Sequence, residues 1–173
     1  MGYMANNVIL SCFACTGKTT AAKMWALMPG QVNDLESSVY QWIYPEGTDK
    51  SNVEALKGET KKSKNPLWPR NYINAIKESW QNYRVTLISM QQDVRDMLDH
   101  EAIYYVVVYP SYDQKDLIIE RARSRGNQEA FINLLEVKWD EWHNDLSDYD
   151  GPKHEITANE TITDVIDICG YLD

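Results

Sequence analysis

The chain has 173 residues, 43% hydrophobic and 25% charged, with a formal net charge of −9. That length suits one domain with a full core, no apolar run approaches the ~18 residues that span a bilayer, and no basic-then-apolar leader opens the sequence. The acidic balance argues against a broad nucleic-acid-binding face. The three cysteines, Cys12, Cys15 and Cys169, make no disulfide framework, so a cytoplasmic protein is expected.

Val8-Ile9-Leu10 is an apolar, β-branched run that predicts a buried strand. A short loop follows and closes on Gly17-Lys18-Thr19-Thr20, after which Ala21, Ala22, Met24, Trp25 and Leu27 recur at helical spacing. A strand, a tight loop and Gly-Lys-Thr at a helix start form the setting of a phosphate-binding loop. The chemistry explains the residue types. Successive backbone N–H groups cradle phosphate oxygens, and a glycine lets the backbone approach them. Lys18 then brings a cation to the β/γ oxygens, and the Thr19 hydroxyl is a ligand for Mg²⁺. Counting back from Gly17-Lys18, the position of the motif's first glycine holds Cys12. Cys12 and Cys15 form a C-x-x-C pair, but with no second Cys or His pair nearby they read as small loop residues. Cys169 is expected in the core, on the apolar face of the last helix.

The first helix is expected from about Gly17 to Leu27, ended by Pro29-Gly30, and Gln31-Val32-Asn33 reads as a second strand. Ligand-facing residues in α/β sheets sit just past the carboxyl ends of strands. Asp34 is thereby placed near the Lys18 loop, with N-capping by Asp34, Ser37 and Ser38 as the plainer alternative. Residues 40–70 do not read as sheet, and between Lys50 and Arg70 six basic residues (Lys50, Lys57, Lys61, Lys62, Lys64, Arg70) stand against Glu54 and Glu59. That local excess of positive charge suits an anionic guest or, equally, a solvated lysine-rich face.

From Trp68 the apolar residues Tyr72, Ile73, Ile76, Trp80 and Tyr83 predict a helix with Pro69 in its first turn. Val85–Ser89 is a third strand, Gln91–Leu98 a helix carrying Arg95, and Ile103–Tyr109 a continuous apolar strand for the sheet centre. Asp113 suits the N-cap of the next helix, which carries Arg121, Arg123 and Arg125 and stops at Gly126. Arg121 and Arg125, four apart, share a face that Arg123 leaves. Gln128–Leu146 is a longer helix with Phe131, Leu134, Leu135, Trp139 and Trp142 expected on one core face. A strand near Lys153–Ile156 and a helix from Thr161, opened by the Thr161-x-x-Asp164 capping box, complete the chain. Strands alternating with helices predict an α/β fold with a parallel, doubly wound sheet.

The segments SCFACTGKTT, DLESS, WPRNYINAI, LISMQQDVR and VVVYP followed by ERARSRGN occur in that order over nearly the whole chain. Together they resemble the P-loop nucleoside monophosphate kinase superfamily, nearest its phage-type, adenylate kinase-like nucleotide kinases. The resemblance implies a three-layer P-loop NTPase fold with a five-stranded parallel sheet and helices on both faces. It implies a single kinase domain over 1–173, an acceptor-binding insertion at about 40–70 and an arginine lid at about 111–127. It also implies ATP and Mg²⁺ as cofactors and a small-molecule nucleotide acceptor as partner, with no membrane or nucleic acid, in the cytoplasm (the host's, if phage-encoded).

Carried over by position, Cys15, Thr16, Gly17, Lys18, Thr19 and Thr20 bind the ATP phosphates, Thr19 holds the metal, and Asn159 passes near the adenine. Lys18, Arg121, Arg125 and Asp34 form the expected catalytic set, and Asp34, Ser37, Arg70 and Arg95 the expected acceptor set. The chain departs from adenylate kinases after the third strand, where Ser89-Met90-Gln91-Gln92-Asp93 replaces Asp-Gly-x-Pro-Arg. The expected activity is ATP-dependent phosphoryl transfer to a nucleoside monophosphate, with a deoxynucleotide favoured. Two alternatives stay open: a kinase of a hydroxyl acceptor (nucleoside, sugar or polynucleotide end) with Asp34 as base, and a nucleotide-binding protein without catalysis.

Overall fold

The structure, a computed structural model, describes residues 7–52, 56 and 59–172; Glu54 and Lys57 of the basic segment lie outside them. In chain order the elements are β1 (Val8–Cys12), α1 (Lys18–Met24), β2 (Val32–Asp34), α2 (Ser38–Gln41), β3 (Trp42–Ile43), β4 (Ser63–Lys64) and α3 (Arg70–Asn82). Then come β5 (Val85–Ser89), α4 (Gln92–His100), β6 (Val106–Pro110), a 3₁₀ turn (Tyr112–Gln114), α5 (Lys115–Ser124), α6 (Glu129–Asp148), β7 (Lys153–Ile156) and α7 (Ile162–Ile168).

The main sheet has five strands in the order β2-β5-β1-β6-β7, and every pairing in it is parallel. Parallel neighbours need long crossovers, which the helices between the strands supply. Side chains alternate across β1. Val8, Leu10 and Cys12 join Ala21 of α1 and Ile162, Val165 and Ile166 of α7 in one apolar layer. Ile9 and Phe13 face the opposite way, into a layer with Ile73 and Ile76 of α3, Val94 and Leu98 of α4, Ile118 of α5 and Leu135 and Trp139 of α6. Ile9, Leu10, Val107 and Val108 are fully buried, each contributing about 1.5–3 kcal/mol through apolar burial. No helix among the described residues is long and apolar enough to cross a membrane.

Five expectations change. Residues 40–70 do contain sheet: β3 and β4 form a small antiparallel pair, with Trp42 opposite Lys64 and Ile43 opposite Ser63. Strands of two residues are too short for periodicity to reveal them. The first helix ends at Met24, and Leu27 is 96% exposed. Asp113 lies in the 3₁₀ turn, accepting from Ser111 Oγ at 2.6 Å, and α5 begins at Lys115.

The core face of α6 is Ile132, Leu135, Trp139, His143 and Leu146. Of the expected face, Leu135 and Trp139 are core and Phe131 and Trp142 pack half-buried against it, but Leu134 is exposed, and it borders a cleft together with Phe131. Cys169 is exposed rather than core, because α7 ends at Ile168 and the chain turns away at Gly170 (φ 63°). The Thr161 capping box forms as expected, with Thr161 N–H and Oγ1 donating to Asp164 Oδ2 at 2.7 and 3.1 Å.

Candidate functional site

β1 delivers the chain to the carboxyl edge of the sheet at its middle, with β5 on one side and β6 on the other. Parallel α/β sheets leave a crevice at such a point, where connections depart in opposite directions. The loop from Phe13 to Gly17 occupies it. Phe13 N–H donates to Val108 O at 2.9 Å, Thr16 Oγ1 donates to Phe13 O at 2.6 Å, and Thr16 O accepts from Ile162 N–H at 3.0 Å. The loop is thus pinned to β6 on one side and to the start of α7 on the other. Cys15 (φ 60°) and Gly17 (φ 99°) are left-handed. Such reversals within a tight turn gather successive N–H groups into an anion-binding concavity. The Cys15 conformation costs about 1–2 kcal/mol, which the pinned loop sustains.

Cys12 does not enter this concavity. It is the last residue of β1 and 1% exposed, its side chain packed in the α1/α7 layer and its Sγ donating to Leu10 O at 3.3 Å. Burial pushes its thiol up to about 12, with Asp34 adding to the rise and Lys18 opposing it. The first glycine of the motif is therefore replaced at a position where the chain is still strand and a small apolar side chain packs.

Lys18 opens α1, and Thr19, one residue on, donates from Oγ1 to Asp34 Oδ2 at 3.2 Å. Asp34 is the last residue of β2, and that strand's end is held in place by neighbours. Leu35 N–H donates to Leu87 O at 2.9 Å, and the buried Tyr72 donates its hydroxyl to Leu35 O at 2.7 Å while accepting from Ser89 N–H at 3.3 Å. Burial raises the Tyr72 phenol well above its usual range, so it stays a donor. A hydroxyl and a carboxylate are hard oxygen donors of the kind Mg²⁺ takes alongside substrate phosphates. Among the described residues no three or more His, Cys, Asp or Glu are grouped so as to hold a metal ion by themselves, and the residues here offer two oxygen donors to an ion such as Mg²⁺. Thr19 and Asp34 fit it.

Two clefts flank the loop. One, of about 620 Å³, runs from the loop along Glu36, Ser37, Trp42 and Lys62 to Phe131 and Leu134. The other, of about 710 Å³, is bordered by Thr20, Lys23, Leu117, Glu120, Arg121 and Thr161. Cys15, Gly17, Thr19 and Arg125 border both. Thr16 and Lys18 line only the first. Arg121 reaches the loop itself, its Nη1 donating to Cys15 O at 3.4 Å. Arg123 turns to α6, with Nη2 at 3.8 Å from Glu136 Oε1. In the first cleft, Ser37 Oγ accepts from Gln91 Nε2 at 3.3 Å, and Glu36 Oε1 accepts from Ser38 Oγ at 2.8 Å.

Four expected site residues line neither cleft: Asp34, which meets the loop through Thr19, and three that lie farther off. Arg95 is 8% exposed and lays its guanidinium 4.7 Å from the ring centre of Tyr149, because one turn into α4 its side chain points inward. Arg70, at the start of α3, pairs with Glu101, which Lys77 also engages. Asn159 (φ 72°) is exposed in the β7–α7 turn; Thr161, two residues on, borders the cleft instead. Sequence reasoning did not single out Glu36, Trp42, Lys62, Gln128 or Phe131 as lining residues. The basic excess at 50–70 was the one signal pointing toward Lys62.

Comparison with protein-family models, with curated proteins and with solved structures gives no significant match.

Proposed function

We propose that this chain is an ATP-dependent phosphotransferase that moves the γ-phosphoryl group to a nucleoside monophosphate, with a deoxynucleotide favoured. One observation carries the reading: a pinned, glycine-containing loop with Lys18 at its end is bordered by a cleft on each side, and Arg125 reaches both. Such an arrangement suits a donor and an acceptor meeting at the loop. ATP takes the cleft beside Arg121 and Thr161, and the acceptor takes the cleft beside Ser37 and Trp42.

The loop, whose Cys15, Gly17 and Thr19 border both clefts, binds the donor's phosphates, and Lys18, which lines the acceptor cleft, meets the γ-phosphoryl group as it crosses. Thr19 and Asp34 would hold Mg²⁺, which neutralises phosphate charge when bound. Arg121 and Arg125 supply positive charge where negative charge builds up on the transferring group, and since a phosphoryl transfer involves little covalent chemistry for the protein, positioning and charge dominate. The acceptor phosphate is already ionised, so no base is needed.

A hydroxyl acceptor is the second reading, and a specific observation favours it. Neither Arg70 nor Arg95 borders the acceptor cleft, while a carboxylate, Glu36, does. In that case Asp34 takes the hydroxyl proton as general base. ADP release measured with nucleoside monophosphates, nucleosides and hydroxyl-ended oligonucleotides separates the two. The nucleotide reading expects turnover with a monophosphate and a partial loss in Asp34→Asn. Turnover only with a hydroxyl compound, abolished in Asp34→Asn, supports the second reading, and no acceptor-dependent turnover contradicts both.

A further inference from the structure

The small β3–β4 sheet projects two unlike side chains into the acceptor cleft, and they touch. Lys62, immediately before β4, is half-buried while its neighbours Lys61 and Lys64 are exposed. Its Nζ lies 4.8 Å from the centre of the Trp42 ring, which borders the same cleft. Asn65 N–H donates to Gln41 O at 2.8 Å, closing the small sheet, and the Asn71 side chain of α3 donates from Nδ2 to Tyr40 O at 2.8 Å, tying it to that helix. Phe131 and Leu134 of α6 border the same cleft, Phe131 half-buried against the core and Leu134 exposed.

An ammonium over an indole face is a weak contact where water has access, worth about a two- to fivefold factor. A base stacking on an aromatic side chain is worth roughly ten- to a hundredfold. A base arriving on the Trp42 face that Lys62 covers therefore displaces the lysine. The released ammonium, on its flexible stem, is a cation for an anionic group on the same molecule.

We propose that Trp42 is the stacking face for the acceptor's base and Lys62 the counter-ion for its phosphate, the two made available together when the base displaces the lysine from the ring. This rests on the nucleotide-acceptor reading above and assigns the residues that select the acceptor. The exchange requires both parts in one molecule. A nucleoside uncovers the ring but leaves the ammonium without a partner, and a sugar phosphate draws the ammonium off but leaves the ring bare.

The test is calorimetric titration of the four deoxynucleoside monophosphates, their nucleosides and 2-deoxyribose 5-phosphate into wild type, Trp42→Ala, Trp42→Phe and Lys62→Ala, each checked by thermal melting. For wild type, the best monophosphate binds at least about tenfold more tightly than its nucleoside or the sugar phosphate. Trp42→Ala loses about tenfold or more toward that monophosphate. Trp42→Phe keeps most of the affinity but loses the ligand-induced emission change contributed by Trp42. Lys62→Ala weakens the monophosphate and at the same time strengthens the nucleoside by about two- to fivefold, because the ring no longer has to be uncovered.

Monophosphate binding that is unchanged in a folded Trp42→Ala overturns the assignment while leaving the nucleotide reading standing. So does nucleoside affinity that falls in Lys62→Ala. If no monophosphate binds the wild type at all, the nucleotide-acceptor reading fails and the assignment fails with it.

Discussion

Arg121 and Arg125 border a cleft at the Cys15–Thr19 loop, whereas Arg70 and Arg95 line neither of the clefts beside it. All four are helix-associated arginines expected at the site on the same reasoning, that anionic ligands need cations. The difference lies in what each meets. Arg121 meets a loop carbonyl at 3.4 Å, a weak contact that a phosphate readily replaces. Arg70 meets the Glu101 carboxylate, and Arg95 is closed in over an aromatic ring. An arginine already matched to a charge or a π-face is a structural residue, and one resting on a carbonyl beside an open cleft is available to a ligand.

That contrast orders the expected effects of truncation. Arg125→Ala and Arg121→Ala should lower turnover with the best acceptor by ~10²-fold or more, with ATP affinity changed less, since these side chains act where charge develops. Arg123→Ala, whose partner is the exposed Glu136, should leave turnover near wild type. Steady-state kinetics of the three variants checks this, and Arg123→Ala as the most damaging would reverse the assignment.

Arg95→Ala should act on stability instead. It removes a buried side chain and its contact with Tyr149, costing about 1–3 kcal/mol in denaturant unfolding, with turnover per folded molecule little changed. A large loss of turnover with unchanged stability would return Arg95 to the site.

Arg70→Ala should have the smallest effect, because Glu101 keeps Lys77. Lys77 first, then Arg70, holds the Glu101 carboxyl below its usual value. A depressed carboxyl stabilises the fold above its unfolded value and loses that contribution as pH falls through the folded one. The small difference in melting temperature between wild type and Arg70→Ala should therefore be present at neutral pH and vanish in acid. A difference that grows in acid would contradict the pairing.

The same contrast separates what the sequence makes legible from what it hides. Features written in neighbouring residues came through. The apolar run Val8-Ile9-Leu10 predicts a buried strand, and its residues do bury on both faces of the sheet; Thr161-x-x-Asp164 predicts a helix start. The four-residue spacing of Arg121 and Arg125 puts both at the cleft, while Arg123 turns away.

What needed partners far along the chain did not come through. Glu101 is 31 residues from Arg70, and the Tyr149 ring that covers Arg95 follows a different helix. The α6 face was wrong at Leu134, which is apolar yet exposed at a cleft, and apolarity alone does not distinguish a core wall from a binding wall. Trp42 and Lys62 meet only through two strands of two residues, below the length at which a pattern of alternation exists.

The central claim is that the Cys15–Thr19 loop is where phosphate is bound and transferred. Following the label from γ-³²P-ATP in wild type and Lys18→Ala, with melting curves to show that both are folded, tests it most directly. Lys18 opens α1 beside the acceptor cleft and makes none of the contacts that pin the loop, so its removal should spare the fold. The account predicts label in a nucleoside diphosphate with wild type and none above background with a folded Lys18→Ala. Equal transfer by the two proteins would contradict it.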